Sequence, residues 1–124
     1  QGHLTQGDTT VITEKFLAQE EMVSVDTAYF LSLVQGVLED KVSLDTQLQL
    51  FLDRPLKELD LVELAILRLG AYELSQHPEV PYKVILNESI ELAKMFGATD
   101  SYKYINGILH LLAKKIRVLE FKDK

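Results

Sequence analysis

Residues 61–74 are the part of this chain that most restricts its fold. When they are drawn as an α-helix, apolar side chains surround nearly the whole circumference, with Glu63, Arg68 and Glu73 as the charged interruptions. A helix that is apolar on most sides is usually buried in the centre of a helical bundle. The segment therefore predicts an all-α protein built around this helix.

Spacings of three and four between apolar residues recur along the rest of the chain, as expected of amphipathic helices. Ser43, Asp60 and Ser101 are placed as N-caps, and Gly97 is placed as a left-handed stop. No alternating strand pattern, internal repeat or long linker interrupts residues 1–124, which we interpret as one domain. The predicted helices cover about residues 9–19, 25–39, 43–53, 60–76, 82–96 and 101–116.

The charge is distributed unevenly. The formal net charge is −6, which by itself argues against a nucleic-acid binder. Residues 1–62 hold 4 Lys or Arg against 11 Asp or Glu, whereas residues 101–124 hold 6 against 2. The basic end has two interpretations: it complements the dipole of the last helix, or it faces RNA.

Several kinds of chemistry are excluded by what the sequence lacks. The chain has no cysteine, no glycine-rich phosphate loop and no histidines at metal-ligand spacing. No uninterrupted apolar run approaches the ~20 residues of a membrane span. We expect a cytoplasmic protein that is not an enzyme, with no metal, no cofactor and no membrane contact.

Four polar residues lie inside otherwise apolar helices: Arg68, Glu73, Asn87 and Glu88. A buried charge is costly unless it is paired and hydrogen-bonded, so these residues predict a structural polar network. Arg68 is expected to hold Glu88 or Glu73 in a bidentate pair. The alternative, a pair of catalytic carboxylates, lacks a nearby nucleophile or substrate cradle.

The start of the last predicted helix carries a second polar group. Asp100, Lys103, Tyr104 and Gly107 are spaced by three and four, so they share one helix face. A cation beside an aromatic ring, with a glycine that permits close approach, favours base stacking. The alternative is that Tyr104 packs in the core while Lys103 is solvated.

From about His3 to Arg117 the sequence resembles the NusB family of transcription antitermination factors. The resemblance depends on an ordered series of motifs, of which any one alone is weakly specific. The motifs are RLGAYEL (68–74), VPYKV (80–84), NESIELAK (87–94), FGATDS (96–101) and KYINGIL (103–109).

The resemblance implies a NusB-like helical bundle of two three-helix subdomains and a non-enzymatic function. Members of this family pair with NusE, a small-subunit ribosomal protein, and bind the boxA element of nascent ribosomal RNA. The pair loads an antitermination complex onto RNA polymerase. By position, the resemblance places Asp100 and Tyr104 at the RNA surface, with Lys103 beside them. It places Arg54 near the RNA or partner edge and Glu63 at the NusE-facing surface.

The beginning of the chain departs from this family pattern. Family members start with an arginine-rich helix that supplies much of the RNA contact, and Gln1 corresponds roughly to the end of that helix. We therefore expect an incomplete N-terminal helix, weak RNA binding by this chain alone, and self-association or low stability.

Two other functions remain open at this point. NusB-like domains also occur in ribosomal RNA cytosine methyltransferases, and this chain could be such a domain. It could also be a structural helical adaptor without an RNA role.

Overall fold

The computed structural model describes residues 27–97 and 100–122. Within these residues the protein is all-α, as predicted: six α-helices and one short 3-10 helix are present, and no strand. The predicted helix at residues 9–19 lies outside the described part of the chain. The α-helices are α1 (Thr27–Glu39), α2 (Lys41–Gln49), α3 (Leu61–Gln76), α4 (Tyr82–Phe96), α5 (Ser101–Ile116) and α6 (Val118–Lys122), and the 3-10 helix is Leu56–Glu58.

Helix α3 is the centre of the bundle, as its composition predicts. Every residue from Leu64 to Ala71 is buried, which is more than two full turns and therefore the whole circumference. Helices α1, α2, α4 and α5 all pack against it. Gly70 permits the approach of α5, because a Cβ atom there would lie 2.6 Å from Leu109 Cδ1.

The packing separates the helices into two groups. Helices α3, α4 and α5 pack against one another in all three pairings, which is one three-helix unit. Helices α1 and α2 pack against α3 and against each other. The third helix of the second predicted subdomain is the one at residues 9–19, so that subdomain stays a prediction.

Two helix starts agree with the sequence. The side chain of Asp60 caps α3 by accepting hydrogen bonds from the backbone N–H groups of Val62 (3.0 Å) and Glu63 (3.2 Å). Pro81 immediately precedes α4, which begins at Tyr82 as predicted.

Both predicted ends of α2 and two predicted caps are wrong. Helix α2 begins after Asp40, so Ser43 lies in its first turn, and it ends at Gln49. Gly97 is extended rather than left-handed; its lack of a side chain prevents overlap with Ser101. The left-handed residue is Asp100 (φ 71°), which takes the N-cap position expected for Ser101. Aspartate tolerates this conformation better than most residues.

No helix within residues 27–97 and 100–122 combines the length and the apolarity needed to cross a membrane.

Candidate nucleic-acid interface

The beginning of α5 presents charged side chains to solvent. Lys103 Nζ lies 3.8 Å from Asp100 Oδ1, and both side chains are about two-thirds exposed. Tyr104 is half-buried on the same helix. Tyr104 packs partly against the hydrophobic core while Lys103 is solvated, which agrees in part with the alternative stated from the sequence.

Arg54, from the turn that follows α2, joins this face. Its guanidinium carbon lies 4.8 Å from the centre of the Tyr104 ring, a cation–π arrangement. The two predicted RNA positions are 50 residues apart in sequence, and the fold brings them into direct contact.

Asp53 is the third member of this group, and the sequence analysis did not single it out. Its Oδ1 accepts a hydrogen bond from the Tyr104 hydroxyl (3.1 Å) and another from Arg54 Nε (3.2 Å). We call Asp53, Arg54 and Tyr104 the clasp. Nothing in the local sequence predicts the clasp, because Asp53 and Tyr104 meet only through the packing of α2 against α5.

The turn that carries Arg54 is held by one side chain. Gln49 Nε2 donates to the carbonyl of Arg54 (3.1 Å), and Gln49 Oε1 accepts from the backbone N–H of Leu56 (3.2 Å). Both polar atoms of the amide are thereby used to fix the chain after α2. The position of Arg54 over the ring is supported by its backbone as well as by its side chain.

Contacts within the clasp shift the pKa values of Asp53 and Tyr104. Hydrogen bonds from Arg54 and Tyr104 lower the pKa of Asp53 below its usual range. Burial, followed by the hydrogen bond to Asp53, raises the pKa of Tyr104. Asp53 is thus a carboxylate and Tyr104 a neutral phenol at neutral pH, as their hydrogen bond requires.

Tyr102 lies next to Lys103 but makes a different contact. Lys94 Nζ sits 4.9 Å from the centre of the Tyr102 ring. This second cation–aromatic pair joins α4 to α5.

Glu63, the predicted partner-binding residue, lies half-buried in the first turn of α3. Burial and the negative charge of Asp60 raise its pKa, while the positive charge of Arg54 opposes that shift.

The predicted polar network is only partly correct. Arg68 is 1% exposed, but its bidentate partner is Asp45 on α2 rather than Glu73 or Glu88. Both bonds are 2.7 Å long. Asn87 and Glu88 are exposed, so they do not belong to a buried network.

Glu73 is buried and has a different partner from the one expected. The hydroxyl of Tyr29 on α1 donates to its Oε2 at 2.6 Å. Burial raises the pKa of Glu73, and the Tyr29 hydrogen bond, His77 and Arg117 act in the opposite direction.

Arg117 is a buried structural residue that the sequence analysis missed. It donates to the carbonyls of Leu74 (2.9 Å), His77 (2.9 Å) and Val80 (2.8 Å), and it pairs with Glu120. A cation here satisfies carbonyls at the C-terminus of α3 and complements the helix dipole. Backbone acceptors carry no sequence signature, so nothing in the sequence predicts these contacts.

The Tyr104 face, which we define as the clasp together with Asp100 and Lys103, is chemically suited to bind a nucleic acid. A guanidinium on an aromatic ring is a surface on which a base can stack, and the neighbouring ammonium of Lys103 can contact phosphate. Within the described residues, no group of three or more His, Asp or Glu could hold a metal ion.

A comparison with known proteins decides the family. The family model described as "NusB family" matches residues 3–114, which is most of the chain. The chain belongs to the NusB family.

Relatives and a solved structure agree with this assignment. The transcription antitermination protein NusB of Marinobacter nauticus is 46% identical over 124 residues, which cover 100% of this chain and 78% of that protein. The protein of the same name from Alcanivorax borkumensis is 50% identical over 91% of this chain and 75% of its own length. A solved structure of NusB from T. maritima superposes with a TM-score of 0.65 at 27% identity, covering 90% of this chain and 92% of that one.

The NusB assignment carries a function class with it. Since the relatives are transcription antitermination proteins, it supports a role in transcription antitermination, and a non-enzymatic one, as expected from the sequence.

Proposed function

We propose that this chain pairs with NusE and binds the boxA element of nascent ribosomal RNA. The pair then loads an antitermination complex onto RNA polymerase. In this proposal residues 1–124 form one RNA-binding domain of a cytoplasmic protein.

The observation that carries the proposal is the contact between Arg54 and Tyr104. Family resemblance implies an RNA or partner role for each residue separately, and the fold unites them in one exposed group. Aromatic rings and arginine planes are the side chains on which single-stranded bases stack. Lys103, the exposed residue immediately before Tyr104, adds a cation for the phosphate backbone.

The test is a titration of fluorescently labelled boxA RNA with this chain, in the presence and absence of NusE. We expect binding that strengthens when NusE is added. Stacking contributes ~1–3 kcal/mol per base, so Tyr104→Ala should weaken binding by roughly 5- to 150-fold. Lys115→Ala, an exposed cation near the other end of α5, is the matched control and should change binding little.

Glu63 provides a separate test of NusE pairing. Glu63→Lys reverses the charge at the proposed partner surface, so we expect weaker association with NusE in a pull-down or calorimetric titration. Unchanged association would remove Glu63 from the proposed interface.

The alternatives make different predictions. If this chain is a structural adaptor without an RNA role, Tyr104→Ala should leave RNA binding by its pair with NusE unchanged. This chain matches three quarters or more of the length of two relatives that are named transcription antitermination proteins, which favours this proposal over a methyltransferase domain.

A further inference from the structure

One oxygen atom of Asp53 contacts both other members of the clasp. Asp53 Oδ1 accepts from Arg54 Nε and from the Tyr104 hydroxyl, while the Arg54 guanidinium lies over the Tyr104 ring. The three side chains therefore contact one another in a closed triangle.

The exposure of the three side chains shows which one a ligand meets first. Tyr104 is half-buried, whereas the side chains of Arg54 and Asp53 are 42% and 73% exposed. Arg54 Cζ lies over the Tyr104 ring and its side chain is the more exposed of the two, so a ligand meets the guanidinium first. The hydrogen bond to Asp53 uses Nε of the guanidinium and not its two terminal nitrogens. They are available for a phosphate or the edge of a base.

We propose that Asp53 is a positioning residue that fixes Arg54 flat on Tyr104, and that a nucleobase stacks on the guanidinium rather than on the tyrosine ring. This inference depends on the proposed function, since it concerns how the same face receives RNA. An exposed arginine adopts many rotamers in solution. The clasp and the Gln49-held turn select one of them before RNA arrives.

Two effects of Asp53 on RNA binding oppose each other. Its negative charge repels phosphate, so removing the charge favours binding. Its acceptor oxygen orients Arg54, so removing that oxygen disfavours binding. Asparagine removes the charge and keeps an acceptor oxygen, whereas alanine removes both. A comparison of these two variants holds the net charge constant and isolates the positioning effect.

The experiment measures the anisotropy of labelled boxA RNA with wild type, Asp53→Asn and Asp53→Ala, each with NusE present. We expect Asp53→Ala to bind at least ~3-fold more weakly than Asp53→Asn. The matched control is Glu58, an exposed carboxylate of the neighbouring 3-10 helix. Its Gln and Ala variants should bind alike. Circular dichroism melting confirms that all variants are folded.

Tyr104→Phe supplies an independent test, because it keeps the ring and removes the hydroxyl that contacts Asp53. We expect it to weaken binding, and its effect should not add to that of Asp53→Ala, since both break the same hydrogen bond. Without RNA, the Arg54 Nε–H signal in an NMR spectrum should be resolved in wild type and lost in Asp53→Ala.

The outcomes separate this inference from the proposed function. Binding by wild type with equal affinities for the Asn and Ala variants would overturn the positioning role and leave the proposed function standing. Fully additive effects of Tyr104→Phe and Asp53→Ala would also overturn it. No binding by wild type with NusE would overturn both.

Discussion

At the scale of single residues, the loss of the Arg117 side chain should destabilise the fold. Arg117→Ala leaves the carbonyls of Leu74, His77 and Val80 without their donor in a buried place. We expect the free energy of unfolding to fall by about 2–4 kcal/mol. Lys115→Ala, at an exposed position in the last turn of α5, should change it by less than about 0.5 kcal/mol. Urea denaturation of both variants measures the difference, and comparable small losses would contradict the structural role.

Glu73 should make stability depend on pH. Because its folded pKa is raised above the ordinary value of 4.5, the folded state holds this proton more tightly than the unfolded state does. Its favourable contribution is present below the unfolded pKa and is lost as pH rises through the folded pKa. Glu73→Gln stays neutral and still accepts from Tyr29. Between about pH 4 and pH 7, its free energy of unfolding should therefore rise relative to wild type. Denaturation curves that shift in parallel for the two proteins would argue against this.

The residue scale is also where sequence reasoning reached its limit. Burial of Arg68 and Glu73 was predictable, because both interrupt an apolar helix, and the structure confirms it. Their partners were not predictable, because Asp45 and Tyr29 come from other helices and only the three-dimensional packing selects them. Arg54 and Tyr104 were both singled out as candidates from family resemblance, but their contact through Asp53 was not.

At the scale of the helices, one substitution should have opposite effects in two places. Gly→Ala inside a helix gains up to about 1 kcal/mol from propensity alone. At Gly36 of α1 a Cβ atom would overlap the ring of Tyr72 on α3, and overpacking of this kind costs about 1–3 kcal/mol. At Gly107 of α5 a Cβ atom meets nothing within 4 Å. We expect Gly36→Ala to destabilise and Gly107→Ala to stabilise by up to about 1 kcal/mol.

Thermal denaturation tests whether Gly36→Ala is less stable and Gly107→Ala more stable than wild type. Tyr72→Leu in the Gly36→Ala background should recover part of the loss, because the shorter side chain vacates the contact. A stabilising Gly36→Ala would mean that α1 does not approach α3 as closely as described.

Helix positions were largely predictable because apolar periodicity and caps are local properties. The spans of α3 and α4 agree with the prediction, and the Asp60 cap explains the start of α3. The errors cluster where side chains from elsewhere decide the conformation. Gln49 fixes the turn after α2, and Ser101 crowds Gly97. The short helix α6 was not predicted; its Glu120 pairs with Arg117 and accepts from the backbone of Tyr82.

At the scale of the whole molecule, the acidic balance limits how RNA is held. The chain has a formal net charge of −6, and among the described residues Arg54 lies over the Tyr104 ring while Lys103 is next to Tyr104 in sequence. Each phosphate neutralised contributes about −0.7 to the slope of log affinity against log salt for single strands. Lys103→Gln should therefore make the slope shallower by about 0.7 relative to wild type, measured with NusE present.

The control residue Lys115 distinguishes between two surfaces that could hold the RNA phosphates. Lys115 lies 12 residues after Lys103 on α5, about 18 Å at 1.5 Å per residue, in the basic end of the chain. If RNA follows the Tyr104 face, Lys115→Gln leaves the salt slope unchanged while Lys103→Gln reduces it. If instead the basic end of α5 holds the phosphates, the two variants exchange these effects. The salt dependence therefore shows which surface holds the RNA backbone. The local arrangement of cations, rather than the net charge of the chain, determines the slope.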